Sequence, residues 1–201
     1  MGESSLAVTA GSGVNLRTYQ RSVGGTTVDE QAIQQAAPYL ATYSVVTPAL
    51  SIAVANSHVL QLTAGTALPV QIMEIEVYVA GTATAAGYAQ FELLRLSTAG
   101  TGGAAVTPRP LDSTDSAAGL AAQTLPGTAT KGTEDVTLWG WYAAIPQSAG
   151  AGGSLLFSHS WEDPRSKPPV IPAEGLVALK CVTAFPAGTV RVVAKCVESA
   201  G

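Results

Sequence analysis

From Tyr43 onward the apolar residues recur every second position, and this period restricts the fold more than any other feature of the chain. In Val70 to Val79, Val70 and Ile72 flank polar Gln71, and then Ile75, Val77 and Val79 alternate with Glu74, Glu76 and Tyr78. Successive side chains of a strand point to opposite faces, so a segment of this kind buries one face and leaves the other wet. Between Ile72 and Ile75 the apolar phase slips by one residue. Such a slip turns the buried face outward unless the strand carries an extra residue, so a β-bulge is expected near Met73.

The same period marks His58 to Thr63 and Tyr88 to Ser97, the latter with Phe91, Leu93, Leu94 and Leu96. Val136 to Ala143 sets Trp139 and Trp141 on one face. Ser154 to Trp161 sets Leu155, Phe157, His159 and Trp161 on one side. In Leu176 to Ala184, Val177, Leu179 and Cys181 share a face with Lys180 opposite, and Val190 to Val197 completes the series. The Gly/Ala/Thr connection Gly81 to Gly87 predicts that Val70–Val79 and Tyr88–Ser97 pair as a long central hairpin. Pro186-Ala187-Gly188 predicts a second hairpin between the last two strands. Roughly eight strands with almost no helix read as an all-β, two-sheet antiparallel sandwich, jelly-roll-like in topology.

Two stretches depart from this pattern. Residues 1–38 hold Gly11-Ser12-Gly13 and Gly24-Gly25 and few apolar residues, and they read as an extended N-terminal arm ahead of a sandwich domain at 39–201. Within the arm, Thr27 and Glu30 form a capping-box pattern that predicts a short helix over Val28 to Ala37, ended by Pro38. Residues 98–135 form a long excursion, where connections usually run about 4–6 residues. Either short strands such as Ala104 to Thr107 lie in it, or it is an interaction loop. Pro108 and Pro110 exclude a central strand there.

Composition bears on function. Only 12% of residues are charged while 47% are hydrophobic, against roughly 25% charged in ordinary soluble domains. That balance, with a mean hydropathy of +0.28, suits a subunit that hides surface against neighbours. The net charge of −4 gives no electrostatic footprint for nucleic acid. No stretch reaches 18 uninterrupted apolar residues, so no membrane span is expected.

Catalysis needs converging titratable groups, and the chain offers His58 and His159 as its only histidines. Ser158 and Ser160 flank His159 on a strand, so they point away from its imidazole and form no triad with it. Zinc takes three or four Cys, His or acid ligands, and the two cysteines with two distant histidines do not supply them. Asp112 and Asp115 are read as turn-forming residues and not as a calcium loop. Catalytic, cofactor-binding and metal sites are therefore all expected to be none, and the chain is read as no enzyme. If Phe185 pairs with Val190, Cys181 faces Ala194 and Cys196 is its diagonal neighbour about 7–8 Å away, beyond ordinary disulfide reach, so two buried free thiols are expected; a one-pair shift of that register would bring them within reach. Glu162 to Lys167 is the densest charge cluster, a contact loop or a solvated turn. Trp139, Trp141 and Trp161 are read as core in preference to a sugar-stacking platform.

Leu96-Ser97-Thr98-Ala99-Gly100-Thr101-Gly102-Gly103, continuing to Thr107-Pro108-Arg109-Pro110-Leu111-Asp112-Ser113, resembles a loop of tailed-bacteriophage virion proteins that follows a central hairpin. Ile171-Pro172-Ala173-Glu174-Gly175-Leu176 resembles the lead-in to a late strand in the same proteins. Thr18 to Gln31 is similar to an arm that lies across neighbouring subunits. The resemblance implies a structural protein of jelly-roll type, foremost a capsid decoration or head protein that binds and stabilises the capsid surface. It implies the major capsid protein or other virion subunits as partners, and a homo-oligomer, with a trimer favoured. Its place would be the virion, the capsid surface ahead of the tail, after synthesis in the host bacterial cytoplasm. A tail, receptor-binding or carbohydrate-binding module is the alternative.

Overall fold

A computed structural model describes residues 16–23, 26–33, 41–79, 87–126, 129–145, 153–162, 167–184 and 188–198. Its contacts divide the chain into two units, Met1–Tyr39 and Leu40–Gly201.

In the first unit β1 (Leu16–Val23) pairs antiparallel with β2 (Thr26–Ile33), from Leu16 opposite Ile33 to Val23 opposite Thr26. The expected helix over Val28 to Ala37 is thereby corrected: its residues up to Ile33 are strand, and 34–37 lie outside the described residues. The capping-box pattern competes with Thr26, Thr27 and Val28, whose branching at Cβ favours strand. The two residues between the strands are both glycine, the composition that two-residue hairpin connections prefer.

The second unit is a sandwich of two antiparallel sheets. Its main strands are β3 (Thr42–Val46), β5 (Ser57–Thr63), β6 (Val70–Val79), β7 (Gly87–Leu96), β11 (Glu134–Ile145), β12 (Ser154–Ser160), β14 (Leu176–Cys181) and β15 (Thr189–Glu198). Between them lie β4 (Leu50–Ser51), β8 (Ala104–Val106), β9 (Arg109–Pro110), β10 (Ala121–Leu125) and β13 (Val170–Ile171). One sheet runs β11-β7-β14-β5-β10-β8 and the other β12-β6-β15-β3-β9, with β13 on β6 and β4 on β15. Among the main strands the first pairs with the last, β3 with β15. Moving inward along the chain, β5 pairs with β14, β6 with β12 and β7 with β11. The main strands of this unit thus follow one antiparallel ribbon folded back on itself.

Both expected hairpins are corrected by this order. β6 and β7 lie in different sheets, and so do β14 and β15. Alternation identifies a strand and its buried face but carries no information about its partner. Here the short connections pass from one sheet to the other.

The bulge is where the phase slip put it. Opposite β6, Lys195 faces Glu74 while Cys196 faces Ile72, which leaves Met73 as the extra residue. Val70 and Ile72 on one side of it, and Ile75, Val77 and Val79 on the other, are therefore all buried in one core. Val190, Val192, Ala194 and Cys196 from β15 and Phe91, Leu93, Val177 and Leu179 from the opposite sheet complete that core.

The 98–135 stretch is no free loop. Ala104–Val106 is a strand, as one of the two readings held, and β10 is a second that the sequence did not signal. β10 pairs with β5 on one side and β8 on the other. Pro108 and Pro110 accompany β9, which only edges β3 at the end of its sheet, where a missing ladder donor costs little. Residues 97–101 run against 130–133, and Gly100 N donates to Gln61 Oε1 of β5 at 2.9 Å. Thr101 N donates to Thr130 O at 2.8 Å, and Ser97 N to Thr133 O at 2.9 Å. The glycines here serve close packing. A Cβ on Gly100 would stand 2.6 Å from Leu125 Cδ2, and one on Gly132 would meet the Thr98 carbonyl oxygen.

Candidate interaction surface

β11 ends one sheet and β12 ends the other, and their aromatic side chains meet along that side of the sandwich. Period two sends Trp139 and Trp141 the same way from β11, and Phe157 and His159 the same way from β12. Trp141 stacks on Phe157 with centroids 4.9 Å apart and planes at 14°. Phe157 in turn touches Phe91 in the core at 5.3 Å. His159 lies 5.0 Å from Trp139 and meets Trp161 edge-on at 4.4 Å. Pairs of this kind contribute about 0.5–1.5 kcal/mol each beyond the area they bury. The cluster closes the side of the sandwich where no strand bridges the sheets.

The tryptophans are unequal. Trp161 is 3% exposed and Trp139 is 46% exposed, while Trp141 is half-buried with its Nε1 enclosed and unpaired. Their rings cross steeply, Trp139 on Trp161 at 85° and Trp141 on Trp161 at 74°. Two expectations fail in detail: Trp139, read as core, is exposed, and Leu155 leaves the face it was assigned. A register shift between Leu155 and Phe157 turns Leu155 outward, and Leu156 packs against the core in its stead.

His159 is half-buried among indoles, and that burial lowers its pKa. Ser158 and Ser160 are exposed on the other face, where Ser158 Oγ contacts Glu74 Oε1 at 3.5 Å. Neither Ser158 nor Ser160 is brought to the imidazole.

Beyond the aromatic cluster, β11 is paired among the described residues with β7 alone, and its other edge has no strand partner there. From Trp139 opposite Leu93 to Ile145 opposite Gly87 its register with β7 is unbroken. Between Val136 and Ile145 there is no charged residue and no proline. On its outer face Tyr142 is 78% exposed, beside Tyr88 of β7 at 77%. The two are diagonal neighbours, since Tyr142 faces Gln90 and Ala144 faces Tyr88.

A second constellation lies on the outer face of the same sheet. Lys180 of β14 has Glu92 of β7 on one side and His58 of β5 on the other. Its Nζ donates to Glu134 Oε2 at 2.8 Å and stands 2.9 Å from Glu92 Oε2. His58 Nε2 is 3.3 Å from Glu134 Oε1, while its Nδ1 is buried without a partner. Burial lowers the pKa of His58, against the hydrogen bond and charge of Glu134. With Nε2 donating to Glu134, a neutral ring keeps its lone pair on Nδ1. Burial also pushes the Glu134 carboxyl up, but bonds from Lys180 and His58 outweigh it and hold the carboxyl below its ordinary range. Burial works likewise against the charge on Lys180, and its two carboxylate partners overcome it and raise the pKa. Sequence reasoning set Lys180 on the face opposite Leu179 but missed Glu134, which arrives from the stretch read as an excursion.

Other singled-out residues fall apart from one another. Asp112 accepts from Thr114 N and Thr114 Oγ1 at 2.9 and 2.8 Å, a local turn that lowers its pKa. Among the described residues no group of His, Cys, Asp or Glu is placed to hold a metal ion. Cys181 and Cys196 are free and buried in opposite sheets, and burial pushes both thiols up to about 12. Gly11–Gly13 and residues 163–166 of the charge cluster lie outside the described residues. No protein-family model, no curated protein and no solved structure matches the chain.

Proposed function

We propose that the chain is a non-enzymatic structural subunit of a tailed-phage virion, a capsid decoration or head protein that binds the capsid surface and stabilises it. The observation that carries the assembly half of this reading is the uncharged, aromatic edge of β11. A long exposed apolar edge is a liability for a free monomer, and it suits a protein whose working state covers it. The phage half rests on the resemblance of residues 96–113 and 171–176. Its partners would be the major capsid protein or other virion subunits, together with further copies of itself.

A tail or receptor-binding module that takes carbohydrate is favoured by one observation, the exposed rings of Tyr88, Trp139 and Tyr142. Against it, Trp139 and Trp141 each cross Trp161 at a steep angle and only Trp139 is open, which does not favour a flat platform for a sugar. Immunogold labelling of intact particles of the encoding phage, with antibody raised against the full chain, separates the two. Gold on the heads supports decoration, and gold on the tails supports the alternative. Protein confined to the soluble lysate, with no label on particles, overturns both.

A further inference from the structure

We propose that β11 pairs with β11 of a second copy of this chain, antiparallel about a two-fold axis, so that its sheet runs on from one protomer into the next. The inference goes beyond the virion reading and stands or falls separately from it.

Among the described residues, the four edges of the two sandwich sheets are not alike. β8 is three residues long. β9 is two residues long, Arg109 and Pro110, and follows Pro108. β12 carries a register shift between Leu155 and Phe157. Shortness, proline, charge and bulges are the devices by which natural sheets prevent edge pairing. The bulges of β11 are confined to its start, between Glu134 and Trp139. Trp139 to Ile145 has none of these devices, and its seven residues extend about 24 Å.

What an open edge recognises is another extended backbone, with donors and acceptors in alternation. An antiparallel edge is its own complement under a two-fold axis, which makes the contact self-closing. Such an axis sets a charge that lies at its centre against its own copy, so an edge charged at its middle repels itself. From Val136 to Ile145 there is no charge to repel. The side-chain sizes fit the same symmetry. With the axis at Tyr142, Trp141 meets Ala143, Gly140 meets Ala144 and Trp139 meets Ile145, so each tryptophan faces a smaller residue. On the outer face Gly140 and Ala144 flank Tyr142 and leave room for the exposed Tyr142 and Tyr88 rings of both copies. An isologous pair differs from the trimer that the resemblance favoured, and the contact described here does not generate three-fold symmetry.

The test is the mass of the full chain by light scattering coupled to size exclusion, from low to high micromolar concentration. The expected particle has twice the 20.3 kDa protomer mass, or an even multiple of it. Tyr142→Lys and Tyr142→Glu each put like charges across the axis at a solvent-exposed position, and each is expected to halve the mass with the far-ultraviolet spectrum unchanged. An equimolar mixture of the two variants is expected to restore the wild-type mass, which misfolded variants could not do. A wild-type monomer, a trimer, a mass unmoved by either substitution, or variants that fail to recombine would each overturn the proposal. A dimer broken and restored in this way stands whatever the gold label shows on phage particles.

Discussion

Replacing Lys180 by Met keeps the aliphatic stem of the side chain and removes only its charge. What remains is Glu92 and Glu134, whose oxygens stood 2.9 and 2.8 Å from the lost ammonium. Lys180 is 10% exposed in its side chain, Glu92 20% and Glu134 41%. Breaking a buried ion pair by removing one partner costs about 3–5 kcal/mol, whereas an exposed pair contributes roughly 0–1 kcal/mol. The Glu92 contact is nearer the first case and the Glu134 contact is screened toward the second, so the expected loss is about 3 kcal/mol at neutral pH. For a chain of this size each kcal/mol moves Tm by about 2–4 °C, which gives a drop of about 6–12 °C. The pH dependence distinguishes charge from packing. The carboxyl of Glu134 is held below its ordinary 4.5, so its contribution is present above that value and is lost as pH falls through the lower folded value. Lys180 is raised above 10.5, so its contribution is present below that value and is lost only as pH rises past the folded one. The gap between wild type and Lys180→Met is therefore widest near neutrality and closes in acid. Thermal unfolding followed by circular dichroism at neutral and acid pH measures it. A gap of equal size at both would refute the electrostatic account and assign the loss to packing of the stem.

Three further outcomes follow from the same structure. Burial lowers the pKa of both His58 and His159, so the unfolded chain binds more protons, and stability should fall as pH drops below about 6.5. His58→Gln should flatten part of that slope in denaturant titrations, and an unchanged slope would remove His58 from the account. Gly132→Ala should cost about 1–3 kcal/mol because its methyl meets the Thr98 carbonyl. Gly102→Ala, at φ +76 in open space, should cost about 1–2 kcal/mol from backbone strain alone; urea midpoints that rank the reverse way would deny the close packing of 98–101 on 130–133. Both thiols, pushed up to about 12 and buried, should resist a thiol-disulfide reagent at mildly alkaline pH in the native state and react together on unfolding. Fast labelling of one native cysteine would show that its surroundings open.

The strands were legible because alternation is local. Each apolar residue of β6 and β15 reports which way its own side chain points, and even the bulge at Met73 is written as a phase slip in one strand. The pairing was not legible because a wrapped ribbon joins β3 to β15 and β5 to β14 across most of the chain, and nothing within either strand names the other. β10 was missed for a related reason. Ala121-Ala122-Gln123-Thr124-Leu125 has little strand preference of its own, and pairing on both sides makes it a strand. The cluster around Lys180 was half legible. A lysine inside Leu-Val-Ala-Leu-Lys-Cys must face out of the core or find partners, and the partner Glu134 comes from a segment without periodic character.

β11 shows the converse, a local signal that its place in the sheet does not satisfy. A strand with one wet face alternates apolar with polar residues, whereas a strand covered on both faces reads as a nearly continuous apolar run. Val136-Thr137-Leu138-Trp139-Gly140-Trp141-Tyr142-Ala143-Ala144-Ile145 is of the second kind. Its odd positions answer to the aromatic cluster that closes the sandwich. Of its even positions Leu138 packs against the core beside the bulge, whereas Gly140, Tyr142 and Ala144 are exposed, Tyr142 among the most exposed large side chains of the described residues. In a sequence whose other strands match their surroundings closely, as β6 and β15 do, a strand composed for the interior but placed at an edge implies that the interior extends past this chain. The two-fold pairing of β11 supplies that continuation with no residue changed and no charge to neutralise.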